Sequence, residues 1–75
     1  PWIDNSYMKV EQINPRLTRI TINPEGLLSL AKQLELFAKD GADSICYEAW
    51  PGDLEEGSCV LEITKTDRNG RKTID

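Results

Sequence analysis

The chain has 75 residues, of which 39% are hydrophobic and 29% are charged, and its formal net charge is −4. A chain this short buries roughly 60% of the surface that its unfolded form exposes, so a second hydrophobic core is excluded. The composition excludes a disordered tail or a low-complexity fibre, and the balance of 13 Asp and Glu against 9 Lys and Arg argues against sequence-independent binding to nucleic-acid phosphates.

The sequence contains no sign of a membrane or secreted protein. No apolar run approaches the ~20 residues that a membrane span needs, and no charged start leads into the apolar block of a signal peptide. Cys46 and Cys59 are too few for the disulfide framework of a small secreted domain. We therefore expect a cytoplasmic protein with reduced thiols and no membrane partner.

The two ends of the chain differ from its middle. Residues 1–7 lack the alternation of apolar and polar residues that begins at Met8, so we interpret them as a cloning remnant. The alternative is a natural N-terminal arm with Trp2 docked on the domain. We expect one α+β domain at residues 8–66, followed by a tail at residues 67–75.

A β-hairpin is predicted at the start of the domain. Apolar and polar residues alternate on both sides of Asn14-Pro15-Arg16, which is typical of two strands joined by a turn. A one-residue slip would move the apolar residues to the wrong face, so one register is strongly favoured. That register pairs Met8 with Ile22, Val10 with Ile20, Glu11 with Arg19 and Ile13 with Leu17.

An amphipathic helix is predicted after the hairpin. Asn23 can cap free amide groups and Pro24 suits the first helical position. Leucine, alanine and phenylalanine then recur at three- and four-residue spacings until Gly41 ends the pattern, which predicts a helix of about 17 residues, roughly 25 Å long. The stripe is expected to cover one face of a sheet, with Leu34 at its centre fully buried.

A second hairpin is predicted at residues 44–50 and 58–66, joined by a loop rich in glycine and acidic residues. Its favoured register pairs Ile45 with Ile63, Tyr47 with Leu61 and Ala49 with Cys59. Because Cys46 and Cys59 then lie on opposite faces, a disulfide between them is excluded.

The expected architecture is β-β-α-β-β, with the helix on one face of a four-stranded sheet whose strand order stays open. The face toward the helix is predicted to carry Met8, Val10, Ile20, Ile22, Ile45, Tyr47, Leu61 and Ile63. In the tail, Asn69-Gly70 favours a type I′ turn, after which residues 71–74 form either a short fifth strand or a frayed end.

Residue patterns for catalysis are absent from the sequence. It contains no histidine, which is the commonest general base, and no glycine-rich phosphate-binding motif. Asp53, Glu55 and Glu56 match no EF-hand spacing, so a solvated loop is the better interpretation. We expect no catalytic residue, no metal site, no cofactor and no enzymatic activity.

Acidic residues are concentrated in the second hairpin. Residues 40–66 hold seven acids and one base, whereas residues 1–39 hold four acids and five bases. An aromatic residue surrounded by charge is typical of a surface that binds a protein of opposite charge, although an ordinary half-wet sheet face is the alternative. The predicted partner-binding residues are Glu48, Trp50, Asp53, Glu55, Glu56, Val60 and Glu62.

Two stretches resemble a known family. Residues 24–34 read PEGLLSLAKQL and residues 54–63 read LEEGSCVLEI, and together they resemble small immunity proteins of bacterial polymorphic toxin systems over roughly residues 20–65. The family has histidines in the strand before the acidic loop, where this chain has Ser-Ile-Cys-Tyr, so no residue takes a histidine role. The resemblance implies a non-catalytic protein that neutralises a cognate toxin by binding it.

Two other functional classes remain open from the sequence. A homodimeric or complex-forming accessory protein could use the same outer face or an open sheet edge. A small-molecule or enzymatic role would need a pocket lined by Tyr47, Trp50 and the acidic loop. Of the three functional classes, binding of a basic toxin domain agrees best with an acidic surface and with the absence of catalytic motifs.

Overall fold

The fold was obtained as a computed structural model that describes residues 2–71. It contains β1 (Met8–Asn14), β2 (Leu17–Ile22), α1 (Pro24–Lys39), β3 (Ser44–Tyr47) and β4 (Leu61–Thr64). The α+β class and the predicted order of elements are confirmed. The strands form two antiparallel two-stranded sheets, β1-β2 and β3-β4, rather than one four-stranded sheet.

The register of the first hairpin is as predicted from Met8 to Gln12. Met8 pairs with Ile22, and Val10 pairs with Ile20. A bulge then shifts the ladder so that Asn14 pairs with Leu17, and the predicted pairing of Ile13 with Leu17 is wrong. The Asn14 side chain accepts a hydrogen bond from the Arg16 amide at 2.8 Å, which tightens the turn and leaves an extra residue in β1.

The predicted start of the helix is confirmed. Asn23 caps α1 by accepting a hydrogen bond from the Gly26 amide at 2.8 Å, and Pro24 occupies the first turn. The helix ends at Lys39, with 16 residues. At this end the Lys65 ammonium donates to the Asp40 carbonyl at 2.8 Å and lies 4.5 Å from the centre of the Phe37 ring. A cation at this position complements the helix dipole.

Residues 2–7 form an arm that packs along α1. The Ile3 amide donates to Ser29 Oγ at 2.8 Å, and the Tyr7 amide donates to Asn23 Oδ1 at 2.9 Å. The Trp2 ring meets the Tyr47 ring edge-on, with 5.9 Å between the ring centres. The interpretation of these residues as a cloning remnant stays a prediction.

The second hairpin keeps its predicted register but is shorter than expected. Ile45 pairs with Ile63 and Tyr47 pairs with Leu61, so both pairs share one face. The predicted pair of Ala49 with Cys59 is wrong, since Ala49 bridges to Leu54 instead. The chain turns back after Ala49, where its carbonyl accepts a hydrogen bond from the Gly52 amide at 2.8 Å, and this removes it from the ladder.

The segment at residues 55–59 joins the two hairpins. The Glu55 amide donates to the Met8 carbonyl at 2.8 Å, and the Cys59 amide donates to the Val10 carbonyl at 2.8 Å. Between them, Gly57 adopts a φ of 88°, which a turn with a left-handed residue requires. This segment covers the edge of β1 that a third strand would otherwise occupy, so the sheets stay separate.

The core lies between the two hairpins and the helix. Its buried residues are Met8, Val10, Tyr47 and Leu54, and the partly buried residues around them are Trp2, Ile22, Leu30, Ile45, Leu61 and Ile63. Thus all but one of the predicted core-facing strand residues contribute, and the exception, Ile20, is 45% exposed.

The helix is rotated relative to the sequence-based expectation. Leu34 is half-buried rather than fully buried, and Leu27 and Leu28 are exposed. Gly26 and Ser29, which lie outside the predicted stripe, are buried, and of the stripe itself Phe37 is buried. The reason is that the arm and Asn23 hold Gly26 against the hairpin. Because successive helical residues are 100° apart, this orientation turns Leu27 and Leu28 toward solvent.

The tail contains a turn of another type than predicted. Gly70 has a φ of 81°, but Asn69 does not share a positive φ, as a type I′ turn would require. The Gly70 amide donates to the Asp67 carbonyl at 3.1 Å, which is typical of a type I turn followed by a left-handed glycine. Apart from Arg71, the predicted fifth strand lies outside the described residues.

Replacement of Gly26 tests the packing of the arm. A Cβ at this position would lie 2.5 Å from the Tyr7 carbonyl oxygen and 2.8 Å from Ile22 Cγ1. We expect Gly26→Ala to lower the free energy of unfolding in urea by about 1–3 kcal/mol, despite the higher helix propensity of alanine. Gly41→Ala is the matched control, because no atom lies within 4 Å of its added Cβ. Equal stability of the two variants would contradict the close approach.

The rotation of the helix predicts an order of core substitutions. Phe37 is 6% exposed, whereas Leu34 is only half-buried. Phe37→Ala should therefore lower the free energy of unfolding by about 3–5 kcal/mol, and Leu34→Ala by less than the ~2–5 kcal/mol of a fully buried leucine. Urea denaturation measures both, and a larger loss for Leu34→Ala would show that the other face of the helix is buried.

Candidate protein-binding surface

All seven predicted partner-binding residues are exposed. Trp50 is 70% exposed and Val60 is 61% exposed, which are high values for large apolar side chains. The structure divides the set into two groups. Trp50, Asp53, Glu55 and Glu56 line one open cleft, whereas Glu48, Val60 and Glu62 do not line it.

A tight loop holds Trp50 in its outward position. The Leu54 amide donates to the Glu48 carbonyl at 2.9 Å, and the buried Leu54 side chain anchors the loop in the core. Gly52 lies so close to this backbone that an added Cβ would be 2.6 Å from the Glu48 carbonyl oxygen. The sequence predicted only that Leu54 lies in a loop, because a single leucine between acidic residues has no periodic signal of burial.

The cleft beside Trp50 has a volume of about 630 Å³. Its walls come from the arm, the start of β1 and the acidic loop, namely from Ser6, Tyr7, Met8, Trp50, Gly52, Asp53, Leu54, Glu55 and Glu56. The second aromatic residue of the cleft is Tyr7 and not Tyr47. The cleft therefore differs from the pocket of Tyr47, Trp50 and the acidic loop that a small-molecule role would need. The missed residue, Tyr7, belongs to the segment that the sequence favoured as a remnant.

The remaining predicted residues, Glu48, Val60 and Glu62, lie in the second sheet or next to its strands. Glu62 on β4 pairs with Cys46 on β3, and both side chains are exposed. Val60 immediately precedes β4. This group therefore presents an exposed strip of mixed polarity, separate from the cleft.

The carboxylates of the cleft are available to a cationic partner. Glu11, Glu35 and Asp40 form ion pairs with lysines, whereas no ion pair between residues 2–71 involves Asp53, Glu55 or Glu56. Three solvated negative charges beside two aromatic rings favour an ammonium or guanidinium group, because a cation gains both Coulomb and cation–π attraction there.

Tyr47 lies behind this loop in the core. Its hydroxyl donates to Gln33 Oε1 at 2.9 Å, and the side chain is only 2% exposed. Burial raises the pKa of Tyr47 above its usual value, and the negative charge of Asp53 raises it further. The field of the acidic loop therefore extends to a core residue.

Other site chemistries find no support among residues 2–71. No group of three or more histidine, cysteine or carboxylate residues there could hold a metal ion. Cys46 and Cys59 are free and exposed. No helix in the described range has the length and apolarity to cross a membrane.

Comparison of the chain with protein-family models, with curated proteins and with solved structures gave no match. The geometry of the cleft and of the surfaces around it is therefore the basis for a functional proposal.

The environment of Tyr47 predicts a pH dependence of stability. The pKa of Tyr47 is raised in the folded state, so its neutral hydroxyl favours folding. This contribution to the free energy of unfolding is complete below the unfolded-state pKa of about 10 and is lost as the pH rises through the folded-state pKa. Tyr47→Phe should lower the free energy of unfolding by about 1 kcal/mol at neutral pH, because the hydrogen bond of the hydroxyl is lost. Above pH ~10 the variant should lose less stability than the parent chain, because phenylalanine does not titrate. Urea unfolding between about pH 7 and 11 measures the difference, and parallel pH curves for the two proteins would contradict the buried, neutral hydroxyl.

Proposed function

We propose that this chain is a non-catalytic protein-binding domain that neutralises a basic protein, as bacterial immunity proteins neutralise their cognate toxins. The observation that carries the proposal is the exposed Trp50 beside a cleft walled by Asp53, Glu55 and Glu56. An enzymatic role has no comparable set of residues within the described chain.

The aromatic part of the cleft supplies binding energy. Among residues 2–71, Trp50 is the most exposed large apolar side chain, and Tyr7 lines the same cleft. Tryptophan and tyrosine dominate protein–protein hot spots because they bury large areas at low cost in conformational entropy. A partner that covers this cleft therefore gains most from these two rings.

The acidic part of the cleft supplies selectivity for a basic partner. Residues 40–66 hold seven acids and one base. Such a one-sided distribution steers a basic surface toward the cleft and increases the rate of encounter. A lysine or arginine side chain of the partner is the group expected in the cleft, because both the carboxylates and the aromatic rings attract a cation.

The cleft is preorganised for binding. Leu54 is buried below it, and the Glu55 amide is bonded to the Met8 carbonyl at 2.8 Å. A loop that is already fixed loses little entropy on binding, so more of the contact energy contributes to affinity.

The resemblance of roughly residues 20–65 to small immunity proteins supplies the class of partner, a basic toxin domain. It also supplies the location, the bacterial cytoplasm, where such a protein protects the cell that makes the toxin. These two parts of the proposal rest on the resemblance, whereas the place of binding rests on the cleft.

Binding kinetics with the toxin encoded by a neighbouring gene test the proposal. Trp50→Ala should raise the dissociation rate about 30-fold or more, the value for a hot spot of about 2 kcal/mol. Leu28→Ala is the matched control, because Leu28 is a similarly exposed apolar residue on α1, 65% exposed. Unchanged dissociation of Trp50→Ala, with the fold intact, would place the site elsewhere.

Charge reversal tests the acidic part separately. Glu56→Lys should slow association at low ionic strength, and added salt should reduce the effect because it screens exposed charges. Glu35→Lys makes the same change in net charge on the helix, where Glu35 pairs with Lys39. Equal slowing by the two variants would show that total charge, rather than the cleft, steers the partner.

A further inference from the structure

The outer edge of β2 is open. The Asn23 amide donates to the Tyr7 carbonyl at 3.1 Å, which identifies residues 7 and 23 as a hydrogen-bonded pair of the antiparallel ladder. Such pairs alternate with pairs whose backbone groups point away from the partner strand. Thr18, Ile20 and Ile22 belong to the second kind, so their N–H and C=O groups point outward.

The other edge of the same sheet supports this assignment. Met8 and Val10 face Ile22 and Ile20 across the ladder, and their outward carbonyls accept hydrogen bonds from residues 55 and 59. No bond of this kind from residues 2–71 reaches the outward groups of β2. One edge of the sheet is therefore covered by the chain itself and the other is not.

The open edge lacks the features that normally prevent strand pairing. Proteins protect an edge with proline, lysine, a short strand or a bulge. β2 has six residues without proline or lysine, and the bulge of this hairpin lies in β1. Its one charged residue, Arg19, is opposite Glu11 in the ladder, whereas Ile20 is 45% exposed on the core-facing side.

The sequence of β2 is complementary to itself in one register. With Ile20 on a two-fold axis, Ile20 meets Ile20 of a second copy and Thr18 meets Ile22, so that all the outward groups form hydrogen bonds. Moving the axis to Arg19 would place two guanidinium groups opposite each other, which is unfavourable. Moving it to Thr21 would place Thr18 opposite Pro24, which has no N–H.

We propose that a second copy of this chain pairs with β2 in this register, joining two hairpins into a continuous four-stranded sheet with Ile20 on the axis. Repulsion between two copies is smaller on this side of the molecule, since residues 8–22 contain three basic residues and one acid, whereas residues 40–66 contain seven acids and one base. Pairing of one strand from each copy gives a small interface, so the dimer forms in the micromolar range or weaker.

The unmodified chain provides the first test. Sedimentation between about 1 µM and 1 mM should show the mass rising from 8.5 kDa toward twice that value. Over the same range, hydrogen exchange at the Thr18, Ile20 and Ile22 amides should slow with concentration. The Arg19 and Thr21 amides face β1 and should not change. A monomer at every concentration, or exchange at Ile20 that does not depend on concentration, would overturn the proposal.

Variants provide the second test and fix the register. Ile20→Lys should weaken the dimer about tenfold or more, because two lysines meet on the axis, and Ile20→Glu should do the same. An equimolar mixture of these two variants should recover the dimer, because lysine then meets glutamate. Val60→Lys, the same change at another exposed apolar residue, should leave the dimer intact.

The outcomes separate the possible interfaces. A dimer that persists in Ile20→Lys, or a mixture that does not recover, would show that another surface is used. Circular dichroism checks that the variants are folded, and if they are not, the exchange data on the unmodified chain decide alone. The cleft variants at Trp50 and Glu56 should not change the dimer, so failure of this proposal and failure of the toxin-binding proposal are distinguishable.

Discussion

The arrangement of the molecule depends on hydrogen bonds between residues 55–59 and the edge of β1. These bonds join two hairpins that share no strand pairing, and they place Leu54 in the core next to Met8 and Val10. A peptide group that is buried without a partner costs free energy, so covering this edge both satisfies β1 and fixes the second hairpin. In a chain of 75 residues, where little apolar surface is buried, such a link between the halves is important for stability.

The same hydrogen bonds between residues 55–59 and β1 determine which residues line the cleft. They bring the loop of Trp50 and the three carboxylates next to Tyr7, which precedes β1 by one residue. The cleft therefore forms between parts of the chain that are more than 40 residues apart, and its rigidity follows from the core below it. The negative charge of Asp53 adds to the effect of burial in raising the pKa of Tyr47, so the charge of this loop also acts on a core residue.

The molecule thus has two surfaces of different character. The cleft is lined by Asp53, Glu55 and Glu56 and is the proposed site for a basic protein, whereas the open edge of β2 belongs to residues 1–39, which hold four acids and five bases. Because the acidic segment is bonded to the outer edge of β1, on the opposite side of that sheet from the open edge of β2, a dimer through β2 leaves both clefts free. Neutralisation of a toxin and self-association are then compatible, and each copy in the dimer could hold one partner.

Local chemistry in the sequence determined the strands, the helix and the registers near the hairpin centres. Alternation is a strong signal because a one-residue slip inverts both faces, and Asn23-Pro24 defines the helix start through capping alone. Of the candidate site, the exposed Trp50 and carboxylates were predictable from composition. Tertiary structure alone decided the burial of Leu54, the role of Tyr7 and the rotation that exposes part of the leucine stripe, because each depends on which backbone groups find partners across the chain. For the same reason the strands form two sheets rather than one. Residues 55–59 supply the hydrogen-bond partners of β1 that a neighbouring strand would otherwise supply.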